Sequence, residues 1–302
     1  MIVEKKKLYT AEIVLICIPL LWGGTFVFIK NALQDFSPNL FVAIRFLLAL
    51  IIILPFTYKA LFNQTKIGYR DATILGLLFF AAYSTQTIGL EYTSVTKSAF
   101  ITSLFVVLVP IFQTLIKKRA PGLGSVVAVI FVFIGIIFLT SKGVSLLTIF
   151  TEIGSDFNFG DFMTLLCAIF YSLQMIHLDM ISDKYDVKFL ALMQIGITAL
   201  MSLFVAFSFD LTGIEKIQIN FTDNVIFAFF YTAIFASVLT TFMQTKYQRF
   251  VTPTRAGIYF SMEPIYAALI AFILMNEIIP SFGLIGCLLI FIGVIISEVW
   301  RK

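Results

Sequence analysis

Charge is what this sequence has least of. Of its 302 residues only 13% are Asp, Glu, Lys or Arg, there is one histidine, and the three cysteines, Cys17, Cys167 and Cys287, stand far apart. One histidine and no CxxC pair leave no zinc framework, and cysteines embedded singly in apolar runs form no disulfide scaffold; they read as small core residues. Missing too are GxxxxGK[ST], HExxH and GxSxG. ATP-driven pumping by this chain and zinc-hydrolase or serine-hydrolase chemistry therefore have no motif to stand on, and nothing calls for a cofactor or a metal. The net charge of +4 marks no nucleic-acid partner, because the basic residues fall in breaks between apolar runs, not along one face.

What fills the chain is apolar side chain: 60% of residues are hydrophobic, with a mean hydropathy of +1.01. Runs between charged or Gly/Pro/Asn-rich breaks predict ten spans, at 9–29, 40–57, 72–90, 98–116, 123–140, 161–181, 189–209, 224–245, 256–275 and 282–300. The expectation is an all-α polytopic membrane protein with the lipid bilayer as its surroundings. The first run follows Lys5-Lys6-Lys7 as a signal peptide would, but it continues to Ile29 without a small-residue cleavage site and reads as a retained helix. Short connections imply antiparallel neighbours. The longest, 141–160, reads as a linker between a five-helix unit at 1–140 and another at 161–302.

Basic residues orient the chain. With the N-terminus cytoplasmic, that side receives sixteen Lys and Arg, and the opposite side only Lys30, Lys97, Lys142 and Lys216. The positive-inside rule thus puts both termini in the cytoplasm. The halves also resemble each other. A shift of 158 lays Tyr92-Thr93-Ser94-Val95-Thr96-Lys97 on Phe250-Val251-Thr252-Pro253-Thr254-Arg255, Gln86 on Gln244, Ser103 on Ser261 and Gly135 on Gly293. A shift of 149 lays Leu20-Leu21-Trp22 on Ile169-Phe170-Tyr171 and Arg45 on Gln194. Two copies with an odd number of spans have opposite orientations, an inverted repeat that lets a chain open alternately to either side of a midplane site.

With Leu21-Trp22-Gly23-Gly24-Thr25-Phe26 in the first span, Arg45-Phe46 in the second, Thr93 to Ala99 entering the fourth, and Pro253-Thr254-Arg255-Ala256 leading to Met262-Glu263-Pro264 and Met275-Asn276-Glu277, the sequence resembles the drug/metabolite transporter superfamily, EamA-like type. The resemblance covers nearly the whole chain and implies a ten-helix carrier in a bacterial inner membrane, whose relatives include exporters of amino acids and other small metabolites. It names no substrate. One departure is Ile116-Lys117-Lys118-Arg119, where the resemblance implies a Gly-Glu-Arg-like turn; the second half keeps an acid there, Glu277.

Few polar groups lie within the spans. Glu263 sits in the otherwise apolar run 257–275, about 28 Å of helix, and a carboxylate there costs about 2.5–3.5 kcal/mol unless it faces the bundle interior or a wet cavity. Pro264 beside it predicts a helix defect. Glu263 reads as a substrate or proton site, or as a protonated packing group. Arg45 reads as an attractor of an anionic group, or as a side chain that snorkels or pairs structurally. Gln86 and Gln244 read as helix bridges or gate elements. Trp22, Gly24 and Thr25, with Tyr171 and Gln174 in the paired helix, read as cavity wall or as close packing. Tyr83, Tyr259 and Ser261 complete the candidates. Solitary His177 lies at a span end, an interfacial place more than a relay. Gly286 and Gly293, with Ala128 and Gly135, form a small-residue seam that fits packing inside the bundle or a dimer contact, so the oligomeric state stays open.

The function these observations favour is a secondary carrier for a small amphipathic metabolite, with protons as a candidate coupling partner. A membrane enzyme lacks catalytic groups, a scaffold or sensor would carry extramembrane domains, and a channel would show a filter sequence.

Overall fold

In the computed structural model, residues 2–62, 64–140, 157–275 and 281–300 are described. The expected linker 141–160 (up to its last four residues), Lys142, Glu277, Arg301 and Lys302 lie outside the described residues. The helices are α1 Ile2–Trp22, α2 Thr25–Ala32, α3 Pro38–Thr57, α4 Lys66–Tyr92, α5 Val95–Ser103, α6 Phe105–Lys117 and α7 Leu123–Thr140. After residue 157 come α8 Phe159–Ile181, α9 Val187–Thr212, α10 Asp223–Ala233, α11 Thr240–Tyr247, α12 Pro253–Phe260, α13 Glu263–Met275 and α14 Ser281–Val299. A π-helical stretch, Ile234–Leu239, joins α10 to α11. The only extended pairing among the described residues is one bridge between Phe36 and Ile219.

Seven of the helical passages are long and apolar enough to cross a membrane, and 123–139 and 283–299 are shorter apolar helices. This is a multi-pass membrane protein. The apolar residues surround the bundle as well as fill it: Ile51, Phe56, Phe204 and Leu211 are exposed, whereas Phe41, Phe46 and Phe105 are fully buried. Outward apolar surface of this kind suits lipid, which offers no water to repel it.

Local chemistry sets the helix starts. The side chains of Thr65, Ser94, Asn158, Thr222 and Thr252 each accept a hydrogen bond from the backbone N–H three residues on, satisfying a donor the first turn leaves free. At Asn158 the arrangement is reciprocal, because Asp161 accepts from the Asn158 N–H. Left-handed residues end α6 at Lys118 and α9 at Gly213.

The connections gather at two ends. At one, Lys30 donates to the carbonyls of Leu90, Glu91 and Thr93, Asn39 donates to Glu215, and Asp35 accepts from Asn220 and Thr222. At the other, Tyr185 donates to Asp71, Lys117 pairs with Asp179, and the His177 ring nitrogen sits 2.9 Å from the Asp71 carbonyl. His177 is thus held at a boundary, away from the interior.

Helices α7 and α14 approach through the expected small-residue seam. A Cβ on Gly135 would lie 2.8 Å from the Gly286 carbonyl oxygen, and one on Gly293 2.9 Å from that of Ala128. The seam therefore packs within the bundle.

Among the described residues, three passages are broken between α-helices. Gly23-Gly24 separates α1 from α2, Leu104 separates α5 from α6, and Ser261-Met262 separates α12 from α13. The last puts the defect expected at Pro264 just before it, at Ser261-Met262, as a full break in the run 257–275. Glu263 is the first residue of a new helix and Pro264 its second, a position where no backbone N–H is missed. Cys17 also departs from its expected place, being exposed, while Cys167 is buried.

Candidate functional site

The breaks in α1–α2 and α12–α13 face each other. A Cβ on Gly23 would lie 2.9 Å from the Ala267 backbone nitrogen, so glycine there lets α13 come against the first break. Thr25 Oγ1 donates to the Trp22 carbonyl at 2.7 Å and holds the turn. Beside this crossing lies a cavity of about 40 Å³ lined by Trp22, Thr25, Arg45, Ala82, Tyr83, Gln86, Thr102, Phe105, Cys167, Tyr171 and Glu263. That is room for a few water molecules.

Its walls are aromatic. Trp22 meets Tyr171 edge to face at 6.0 Å and Phe260 at 5.2 Å, and Phe105 meets Tyr171 at 5.5 Å. Trp22 Nε1 is buried with no hydrogen-bond partner among the described residues.

Arg45 and Glu263 give the cavity a guanidinium and a carboxyl group. Arg45 is 2% exposed and does not snorkel; its Nε donates to Ser237 Oγ at 2.8 Å and its Nη2 to the Ala236 carbonyl at 3.1 Å. Both acceptors lie in the π-helical stretch, whose wider turn loosens the usual backbone pairing. The guanidinium carbon lies 4.8 Å from the Tyr83 ring centre and 5.2 Å from that of Phe46, within cation–π range of two rings that themselves meet edge to face at 5.0 Å. Glu263 is 9% exposed and makes no ion pair among the described residues. At the first position of α13 its carboxylate meets the positive end of that helix. Arg45 and Glu263 share a cavity without pairing with each other.

Seven candidates from the sequence thus line one cavity: Glu263, Trp22, Thr25, Arg45, Tyr83, Gln86 and Tyr171. The others lie elsewhere. Gly24 faces Phe28. Gln174 donates to Gln194, and Gln244 donates to Gln174 and Gln248, a chain of amides that bridges helices. Tyr259 OH accepts from Arg255 and donates to Glu298, and Ser261 donates back to Gly257 in its own helix. Pro264 is not in the lining. Ala82, Thr102, Phe105 and Cys167 were not anticipated. Phe105 had a signal, since the shift of 158 that joins the halves lays it on Glu263. No group of His, Cys, Asp and Glu that could hold a metal occurs among the described residues.

Comparison with known proteins agrees with a membrane carrier. An uncharacterized transporter of Archaeoglobus fulgidus is 32% identical over 96% of this chain and 86% of its own length. Another from the same organism is 23% identical over 92% and 93%. The uncharacterized transporter YyaM of Bacillus subtilis is 27% identical over 91% and 89%. One solved crystal structure, 13% identical, superposes with a TM-score of 0.76 over 97% of each chain, a likeness of fold alone. The sequence profile of the EamA-like transporter family matches residues 10–141 and again 158–298, and the chain accordingly belongs to the EamA-like transporter family.

Proposed function

We propose that this protein is a secondary carrier that exports a small metabolite, an amino acid or related compound, across a cell inner membrane by alternating access. The observation that carries the reading is the buried cavity in which Arg45 and Glu263 lie unpaired with each other among aromatic walls. Arg45 offers a guanidinium to an anionic group, Glu263 accepts from a cationic or hydrogen-bonding one, and Trp22, Tyr171 and Phe105 enclose the apolar part. At about 40 Å³ the cavity is too small for such a molecule until helices part, as a carrier between its two open forms requires.

The accompanying topology is ten spans in two inverted five-helix repeats with both termini cytoplasmic. The family profile matching twice supports it. So do the correspondences of local structure. Under the shift of 158, the cap Ser94–Lys97 falls on Thr252–Arg255, the Ser103 back-bond to Ala99 on that of Ser261 to Gly257, and the break at Leu104 on Met262. Residues paired by the repeat also meet: Trp22 touches its counterpart Tyr171, and the α7–α14 seam joins Gly135 to Gly286 as it joins Gly293 to Ala128.

The test is flux into proteoliposomes from a pool of amino acids and small metabolites, with and without a pH gradient, comparing wild type with Glu263→Gln. Gradient-driven flux that becomes gradient-independent in Glu263→Gln supports a proton-coupled carrier. Flux that ignores the gradient in both removes the coupling and keeps the carrier. Absence of flux for every compound counts against the substrate class.

A further inference from the structure

Two ion pairs lie outside the cavity and stitch the halves together. In the first, Lys97 Nζ is 2.6 Å from Asp161 Oδ2, and Asp161 Oδ1 accepts from Thr93 Oγ1 at 2.6 Å. In the second, Arg255 Nη2 is 3.1 Å from Glu12 Oε1 and 2.5 Å from Glu298 Oε1, with Tyr259 OH at 2.8 Å. The Asp161 side chain is fully buried and that of Glu12 6% exposed, while Lys97 at 21% and Glu298 at 25% keep part of each cluster open to solvent.

Their positions in the chain correspond. The shift of 158 carries Lys97 onto Arg255, and the shift of 149 carries Glu12 onto Asp161. Each cation starts a fourth or ninth passage and each acid starts a first or sixth, so each pair joins one half to the other. Asp161 stands ten residues before Tyr171 on α8, and Glu12 ten before Trp22 on α1. At 1.5 Å per residue both pairs lie about 15 Å from the Trp22–Tyr171 contact, and the opposite orientation of the repeats puts them on opposite sides of it. A second cavity of about 340 Å³, lined by Gln113, Lys117, Thr252, Arg255, Ser297 and Trp300 among others, lies at the Arg255 end. Arg255 borders that cavity, and Glu263, eight residues further on, borders the central one.

We propose that Lys97–Asp161 and Arg255–Glu12 are matched gates, the first closing the central cavity to the outside and the second to the cytoplasm. Opening towards either side requires the halves to separate there, which breaks that side's pair and leaves the other made. These are positioning residues, and they act without touching the substrate. The inference rests on alternating access as proposed above.

Cys167 lines the central cavity and serves as the reporter once Cys17 and Cys287 are replaced by alanine. A membrane-impermeant maleimide is applied to right-side-out and to inside-out vesicles. Lys97→Gln should raise the labelling rate from outside about tenfold and lower it from inside, and Arg255→Gln should do the reverse. The exchange Lys97→Asp with Asp161→Lys should return the outside rate towards the parent's, and it carries the test if Lys97→Gln does not elute as a folded protein. Labelling that moves in the same sense in both single variants, or in neither, overturns the gates, as does an exchange that folds but labels like Lys97→Gln. Because labelling needs no substrate, a wrong substrate class leaves this result untouched.

Discussion

Adding a methyl group at Gly286 should loosen the protein, and adding the same group at Gly196 should not. On Gly286 a Cβ would sit 2.4 Å from the Leu139 backbone nitrogen and 2.6 Å from the Gly135 carbonyl oxygen. Backbone cannot swing aside as a side chain can, and ordinary contact begins near 3.4 Å, so α7 and α14 must part by about 1 Å. A gap of that size forfeits about a quarter to a half of each dispersion well along the seam. The sum falls in the range of about 1–3 kcal/mol found for overpacked cores, partly offset by alanine's helix preference of about 0.8–1.0 kcal/mol over glycine. Lipid supplies no compensating drive to hold the helices together. On Gly196 the Cβ meets only Leu50 Cδ1 at 3.7 Å, an ordinary contact, so the helix preference remains as a gain. The assay is thermal unfolding of the two variants in detergent, followed by loss of the monodisperse elution peak. Gly286→Ala should fall below wild type and Gly196→Ala should match or exceed it. Equal shifts, or a stable Gly286→Ala, would refute the backbone-contact reasoning.

Arg45→Lys should abolish flux while leaving the fold intact, because a lysine keeps the charge but not the fork that reaches Ser237 and Ala236 together; flux near the wild-type level would show that only charge matters. Gln174→Ala should destabilise by about 1–3 kcal/mol, since it leaves the buried amides of Gln194 and Gln244 each short of a partner, and unfolding temperatures that do not move would count against the bridge. Glu215, in the loop after α9, has its carboxyl pushed above the usual range by burial, against the donors of Asn39. The folded state therefore holds this proton more tightly than the unfolded chain, so stability falls as pH rises through the folded pKa. Protection from hydrogen exchange in residues 213–222, corrected for the intrinsic base-catalysed rise of exchange with pH, should fall over that interval and stay level in Glu215→Gln; a fall that persists in the variant assigns the effect to another group.

The apolar passages, and Arg45 and Glu263 as charges inside them, were legible because hydropathy and isolated charge depend on local sequence alone, whereas helix ends such as Lys66, six residues before the expected start, were not. The break at Ser261-Met262 was not, since Pro264 announces a defect without saying whether the helix bends or restarts. Once it restarts, Ser261 turns back on its own helix while Glu263 reaches the cavity. Gln244 reads as a helix bridge or gate element from its place in an apolar run and does bridge to Gln174 and Gln248, whereas Gln174 reads as cavity wall or close packing, and its satisfaction by Gln194 and Gln244 is a tertiary fact. Thr102, Phe105 and Cys167 carry little polarity to draw notice, and their facing depends on the break at Leu104. Glu12 and Asp161 were within reach: the shift that paired Trp22 with Tyr171 pairs them as well.

The π-helical stretch Ile234–Leu239 has a consequence for how this chain tolerates insertion and deletion. Removing one residue there would let the passage close into a regular α-helix, a local gain. The same deletion would rotate α11 by about 100° relative to α10, taking Gln244 and Gln248 away from Gln174 and the Met175 carbonyl. It would also return the Ala236 carbonyl to ordinary helix pairing and take an acceptor from Arg45. One extra residue in the eighth passage and one cation in the second thus form a single unit of inheritance, and a relative that lacks the first has lost the structural reason to keep the second.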